Sequence, residues 1–339
     1  MNKKTKVGVL MILLSVLILA VEPHHAKSAD EVTKLKVALN TPTTHPNYKY
    51  YVRYFDNLVN RSKGQLELKY YWGAALLKGP EITQGIGTGT VDMGEIQSNW
   101  DAKLDRTLNC AMVPFLFDDH DHYLRVVKSG LFDYYAKVYA KQNVKLLCLT
   151  SSGAQNWWSR TKFFKKPEDF KGVDIRGLGG YSSEGLKIFG ANVISLSTYE
   201  VITALQRGMV DAVGTAAPSL PTYGWEKHLH YGTFSDWGET PRGFGINMDI
   251  WNRLPRNIQT VFMDAANEFM DDHIAALSRD DYQVYFDDWI KKGYYGYKLT
   301  RAEKEGFKKA LAPLYQKMEK EYGETAKWML DVVAKNRKQ

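Results

Sequence analysis

The sequence predicts an α/β protein built as two lobes. Strand-like and helix-like segments alternate along most of the chain, the mark of a sheet covered by helices on both sides. One unit, a helix followed by Gly, any residue, Val-Asp and a buried strand, occurs twice, at Gly89 to Met93 and at Gly208 to Ala212. Roughly 310 residues remain after the N-terminal segment, enough for two domains of ordinary size.

Met1 to Ser28 has Lys3, Lys4 and Lys6 before the apolar run Val7 to Val21, then a polar stretch ending in small residues. That order is the order of a secretory signal peptide, with cleavage after Ser28. The rival reading is a retained membrane anchor, but the run is shorter than the ~20 residues a spanning helix needs. Without this segment, which holds four lysines and one glutamate, the formal charge falls from +7 to +4. No Lys/Arg stripe is present, so nucleic-acid binding is not indicated, while a modest positive balance suits small anions. The two cysteines, Cys110 and Cys148, both lie in apolar runs. They read as two buried strand thiols, with pairing in an oxidising compartment as the alternative.

Lys34 to Asn40 alternates as a strand, and the loop TPTTHP leads into an amphipathic helix over His45 to Lys63, ended by Gly64. Gln65 to Tyr71 is the next strand. Pro80 marks the start of a second helix with Ile82 and Ile86 on one face, and Val91 to Ile96 is the strand after Gly89. Asp118, Asp119 and Asp121 read as a solvated helix start, where carboxylates suit the dipole.

VDIR, at Val173 to Arg176, has the character of a short strand, and the glycines after it let backbone approach a bound molecule. Ser197 and Glu200 form a capping box, Val201, Leu205 and Met209 repeat on one helical face, and Gly208 ends that helix. Val210 to Val213 is again a buried strand. Pro255 to Gly293 reads as helix for nearly its whole length, which at 1.5 Å per residue approaches ~50 Å, longer than one lobe needs. Thr300 and Glu303 form a second capping box opening the C-terminal helices.

The motifs of enzyme chemistry are missing: no G-x-S-x-G elbow, no phosphate loop, no H-E-x-x-H pair, and GLGGYS lacks the third glycine of a dinucleotide fingerprint. His120 with His122, and His228 with His230, have no third ligand at recognisable spacing and read as exposed loop histidines. Arg176 stands out. A guanidinium offers a rigid fork that matches a carboxylate in two parallel hydrogen bonds, although an arginine paired with Asp or Glu in the fold has the same appearance in sequence.

F-K-G-x-x-I-R followed by A-L-Q-x-G-x-V-D, together with V-P-F-L-F at Val113 to Phe117 and G-T-V-D-M-G at Gly89 to Gly94, resembles the solute-binding proteins of tripartite ATP-independent periplasmic (TRAP) transporters over nearly the whole mature chain. The resemblance implies a type II periplasmic-binding-protein-like fold whose lobes are joined by crossing strands and braced by the long helix. Lobe 1 would comprise 29–152 plus roughly 241–280, and lobe 2 153–240 plus roughly 281–339, with the C-terminal helices packing across both. It implies a periplasmic, monomeric protein without cofactor or metal, which captures a small organic acid and delivers it to membrane subunits.

It further implies that Arg176 holds the ligand carboxylate and that Gln155, Asn156 and Trp157 bring a second set of contacts, with Trp158 in the core. Arg160 is a second anion contact or a surface charge. Gln97 and Thr215 stand at positions of polar ligand contact, and His45, Trp100 and Arg242 complete the candidates. Members that bind through a cation carry Glu and Trp shortly after V-D, where Gly214 and Thr215 follow Val213 here, which argues against a metal-bridged ligand. The second arginine of sialic-acid binders falls at Asn156, which argues against that ligand. A sensor's ligand-binding subunit would share the plan, and so would a periplasmic enzyme if a base and a nucleophile met in the cleft.

Overall fold

A computed structural model describes residues 32–276 and 279–338, with side chains throughout except at 274–282. The expected leader, 1–28, lies outside the described residues. The strands are β1 (Thr33–Ala38), β2 (Leu66–Tyr71), β3 (Met93–Gln97), β4 (Val144–Ser151), β5 (Gln155–Ser159), β6 (Asp174–Gly177), β7 (Asn192–Ser195), β8 (Ala212–Ala216), β9 (Tyr231–Gly238), β10 (Pro241–Asn247) and β11 (Tyr295–Lys298). They form a five-stranded sheet, order β2-β1-β3-β10-β4, and a six-stranded sheet, order β11-β9-β5-β8-β6-β7.

The repeated sequence unit is a repeated piece of structure. In the first sheet β1 lies between β2 and β3, parallel to both, and in the second β6 lies between β7 and β8 in the same way. Gly89 and Gly208 both adopt the left-handed backbone, at φ +77° and +68°, which ends the preceding helix without a Cβ penalty. Val91 and Val210 are then fully buried, and the aspartate after each donates its backbone N–H to the first strand of its unit, Asp92 to Lys36 and Asp211 to Asp174.

The chain crosses between the sheets twice in short order. Residues 152–154 link β4 to β5, and Glu239 with Thr240 links β9 to β10, while β4 runs antiparallel to β10 and β5 antiparallel to β9. Ser152 donates its N–H to the Thr240 carbonyl at 3.0 Å, tying the two crossings together. The helix Arg256–Ala276 buries Ile258, Phe262 and Phe269 against Tyr51, Tyr54 and Phe244 of the first lobe. The helix Arg279–Lys291 sets Trp289 and Phe286 against Trp158 and Phe234 of the second. Phe307, Leu314 and Met329 of the C-terminal helices enter a core that also holds Tyr123 and Tyr135 beside the first sheet and Trp157, Phe170 and Phe189 of the second.

Four expectations are corrected. Cys110 lies in the turn of 3-10 helix Arg106–Met112, not on a strand; only Cys148 is a strand thiol. Both cysteines are free and buried, and burial pushes both thiols up to about 12. Met209 is 49 % exposed, because the helix stops at Gln206 and Gly208 turns the chain outward. His120 and His122 are buried rather than exposed: Asp119 caps the helix His120–Val126 and turns both rings inward, where His120 Nδ1 meets Glu239 at 3.1 Å and His122 Nε2 meets the Val333 carbonyl at 2.8 Å. His228 is half-buried and His230 exposed.

Candidate functional site

Between the sheets lies a small polar cavity. It sits where the parallel strands end. β1 leads to Asn40 and His45, β3 to Gln97, Asn99 and Trp100, β6 supplies Arg176 and Leu178, and β8 supplies Thr215 and Ala216. Ligands of α/β sheets bind outside the carboxyl ends of their strands, and here two such ends face one another. The crossings add Ser152, Gln155 and Arg242, and the segment after β8 adds Ser219, Tyr223 and Trp225.

Arg176 is 5 % exposed. Its Nε and Nη2 donate to the Leu196 carbonyl and its Nη1 to the Gly214 carbonyl, all at 3.3 Å, longer than a well-formed N–H···O bond. Among the described residues no carboxylate lies within ion-pair distance of it. Burial lowers its pKa to about 10, so it remains a cation at neutral pH. The Trp225 ring centroid is 6.0 Å from its guanidinium carbon.

Arg242 is the opposite case. Its Nη1 lies 3.2 Å from Glu95 Oε1, its Nε donates to Gln97 Oε1 at 2.7 Å, and Nη1 also reaches Tyr51 Oη at 3.3 Å. Glu95, with no exposure, accepts in addition from the Thr41 N–H at 2.9 Å and the Thr41 hydroxyl at 2.8 Å. Glu95 and Arg242 thus form a buried ion pair whose oxygens are held further by Thr41. His45 lines the same wall; its Nδ1 accepts from the Asn47 N–H at 3.0 Å. Burial, with Arg242 adding to it, lowers its pKa to about 3, so the ring is neutral.

Two hydrogen bonds join the lobes across the cavity. Tyr199 Oη donates to the Asn40 carbonyl at 2.9 Å, and Asn99 Nδ2 to the Leu178 carbonyl at 3.3 Å. A wider opening adjoins the cavity and shares Asn40, Asn99, Trp100 and Arg176 with it.

Of the sequence-derived candidates, Arg176, Gln155, Gln97, Thr215, His45, Trp100 and Arg242 converge on the cavity. Asn156, Trp157 and Arg160 do not, which corrects the expectation of ligand contact for Asn156 and Trp157; Arg160, read as an anion contact or a surface charge, lies away from the cavity lining. Asn156 Oδ1 accepts from the Ser235 and Asp236 N–H groups at 2.8 and 3.1 Å, holding Asp236 in its left-handed conformation at the β9 irregularity. Trp157 has no exposure and packs on Phe170 and Phe307, its ring centroids 4.9 and 5.0 Å away. Trp158 points to the opposite face and lies in the core, as expected, 4.8 Å from Trp289. The Arg160 guanidinium donates to the Leu205 and Val210 carbonyls, satisfying the end of the helix Val201–Gln206.

Sequence reasoning missed Glu95, Asn40, Asn99, Tyr199, Tyr223 and Trp225. Glu95 carried a signal, being the lone charge inside the buried run Met93–Gln97. Asn40 and Asn99 follow the ends of β1 and β3, where a polar side chain is placed to face a cleft. Tyr199, Tyr223 and Trp225 carry no local mark that separates them from core or surface aromatics. Among the described residues no cluster of three or more His, Cys, Asp or Glu has the makings of a metal site, and no helix is long and apolar enough to cross a membrane.

A family model, described as bacterial extracellular solute-binding protein, family 7, matches residues 37–321. The chain is 22 % identical over 307 residues to the sialic acid-binding periplasmic protein of Vibrio cholerae, covering 88 % of this chain and 92 % of that protein. It is 29 % identical over 217 residues to a monocarboxylate 2-oxoacid-binding periplasmic protein of Nostoc, covering 62 % and 59 %. Its fold matches that of a Bordetella pertussis extracytoplasmic solute receptor binding pyroglutamic acid, with TM-score 0.83 and 20 % identity over 89 % of this chain and 100 % of that one. It also matches the sugar acid binding protein of Advenella mimigardefordensis in complex with galactonate, with TM-score 0.84 and 18 % identity over 91 % and 99 %. The matched span runs from β1 into the C-terminal helices and includes both walls of the cavity, and on that ground the chain belongs to the bacterial extracellular solute-binding proteins of family 7.

Proposed function

We propose that this protein is the extracytoplasmic receptor of a TRAP transporter, secreted through its N-terminal segment, and that it captures a small organic acid between its lobes and presents it to the membrane subunits. The observation that carries the reading is Arg176, a buried cation with three long hydrogen bonds and no described carboxylate partner, facing a cavity lined by polar groups. A buried charge left without a counter-charge is unfavourable, and a bound carboxylate relieves it with a bidentate bond. The relatives named as binding pyroglutamic acid, galactonate and 2-oxoacids support a small organic acid as the ligand. That these relatives are named as binding proteins and receptors supports carriage as its function.

Thermal-shift measurements against hydroxy, oxo, cyclic and sugar acids test this. A true ligand at 100 times its dissociation constant stabilises the protein by ~2.7 kcal/mol, a clear rise in midpoint. A folded protein that no carboxylate stabilises would overturn the reading.

A further inference from the structure

The two arginines of the cavity differ in what balances them. Arg176 has no described carboxylate within ion-pair distance, whereas Arg242 is matched by Glu95 at 3.2 Å, and Glu95 is wholly buried beneath it. Gln97 and Tyr51 occupy two further positions around the Arg242 guanidinium. A ligand carboxylate approaching Arg242 would therefore meet a guanidinium already bound on one side by a carboxylate, with a neutral His45 beside it. In the adjoining opening Lys78 stands with Glu81 and Glu200, so that side adds no net positive charge. The remaining wall is neutral and polar: Asn40, Asn99, Gln155, Thr215 and Ser219 offer amides and hydroxyls. Gln155 Oε1 has no partner among the described residues although Gln155 is 4 % exposed, so it is free to accept from a ligand hydroxyl.

We propose that the cleft is selective for a monoanionic acid whose other polar groups are neutral hydroxyls or carbonyls, and that Glu95 is the residue that sets this selectivity by neutralising Arg242. The inference rests on the organic-acid reading above and narrows it. A second carboxylate on the ligand would be taken out of water toward the Glu95–Arg242 pair without a cation of its own. A hydroxyl at the same place loses little, because it can donate to Gln155 or accept from the Arg242 edge.

Titration calorimetry on the intact mature protein compares matched monoacids and diacids: gluconate with glucarate, galactonate with galactarate, 3-hydroxybutyrate with malate, and 2-oxobutyrate with 2-oxoglutarate. The tightest binder is expected to be a monoacid, about 100-fold tighter than its diacid, the size of effect expected for an unpaired buried charge. Glu95→Gln frees Arg242 and is expected to narrow that ratio by about 10-fold or more, as one unscreened charge contact does. A diacid that binds wild type as tightly as its monoacid partner overturns the proposal while leaving the organic-acid reading intact. Binding of no acid in the set counts against that reading and takes this inference with it. If Glu95→Gln does not fold, the wild-type ratio decides alone; if it folds and the ratio is unchanged, Glu95 does not set the selectivity.

Discussion

Tyr199, on the turn after β7, donates its phenolic hydrogen to the Asn40 carbonyl at the end of β1, a 2.9 Å bond from one lobe to the other beside the cavity. The ring itself is 42 % exposed and leans on Tyr223, so the hydroxyl alone makes the link. Tyr199→Phe removes this bond and little else. A net hydrogen bond is worth ~0.5–1.5 kcal/mol, so ligand should dissociate about 2–10 times faster in stopped-flow measurements. The unfolding midpoint without ligand should scarcely move. An unchanged dissociation rate would show that this bond does not hold the lobes together around the ligand.

Arg176→Ala should leave the fold intact, because the groups it releases are the Leu196 and Gly214 carbonyls, already held at long range. Binding of the acid should weaken by ~2–5 kcal/mol, since the ligand charge is left buried and unpaired. Arg176→Lys keeps the charge and loses the fork, so only part of the affinity should return. Calorimetry finding both variants within threefold of wild type would make Arg176 a structural residue.

Stability should fall on the acid side through His273 and His45. Both rings are buried, and burial, with Arg242 adding to it, lowers each pKa to about 3. In the unfolded chain each takes up a proton near 6.5, so between about 6.5 and 3 the unfolded state binds more protons. Their contribution is therefore fully present above 6.5 and is lost as pH drops. His273 stacks on Phe269 at 5.2 Å with both ring nitrogens unpartnered among the described residues, which makes phenylalanine a fair replacement. Urea unfolding of His273→Phe should show a loss between pH 7 and 4.5 smaller than wild type by about 2 kcal/mol. Equal losses would mean that His273 is protonated in the folded chain.

Affinity for the acid should survive treatment with a chelator. Thr215 lines the cavity with a hydroxyl, and among the described residues no group of three or more His, Cys, Asp or Glu could hold a metal ion. A tenfold loss that added cation restores would show that the ligand is held through a metal.

Sequence alone determined the alternation of strands and helices, the two Gly-x-Val-Asp units and the glycine-flanked Arg176. Each depends on a local property, such as period, capping or left-handed backbone, that the residues carry with them. The tertiary structure decided which polar groups the cavity receives. Gln155 and Trp157 are two residues apart on β5, yet the register shift between them and the C-terminal helices send one to the cavity and the other to the core. Arg242 and Glu95 meet because β10 pairs with β3, and His120 meets Glu239 because the β9 to β10 crossing passes beside it. A strand's own pattern tells which residues share a face, but what covers that face, and which distant charge balances it, is set by chain segments far away in sequence.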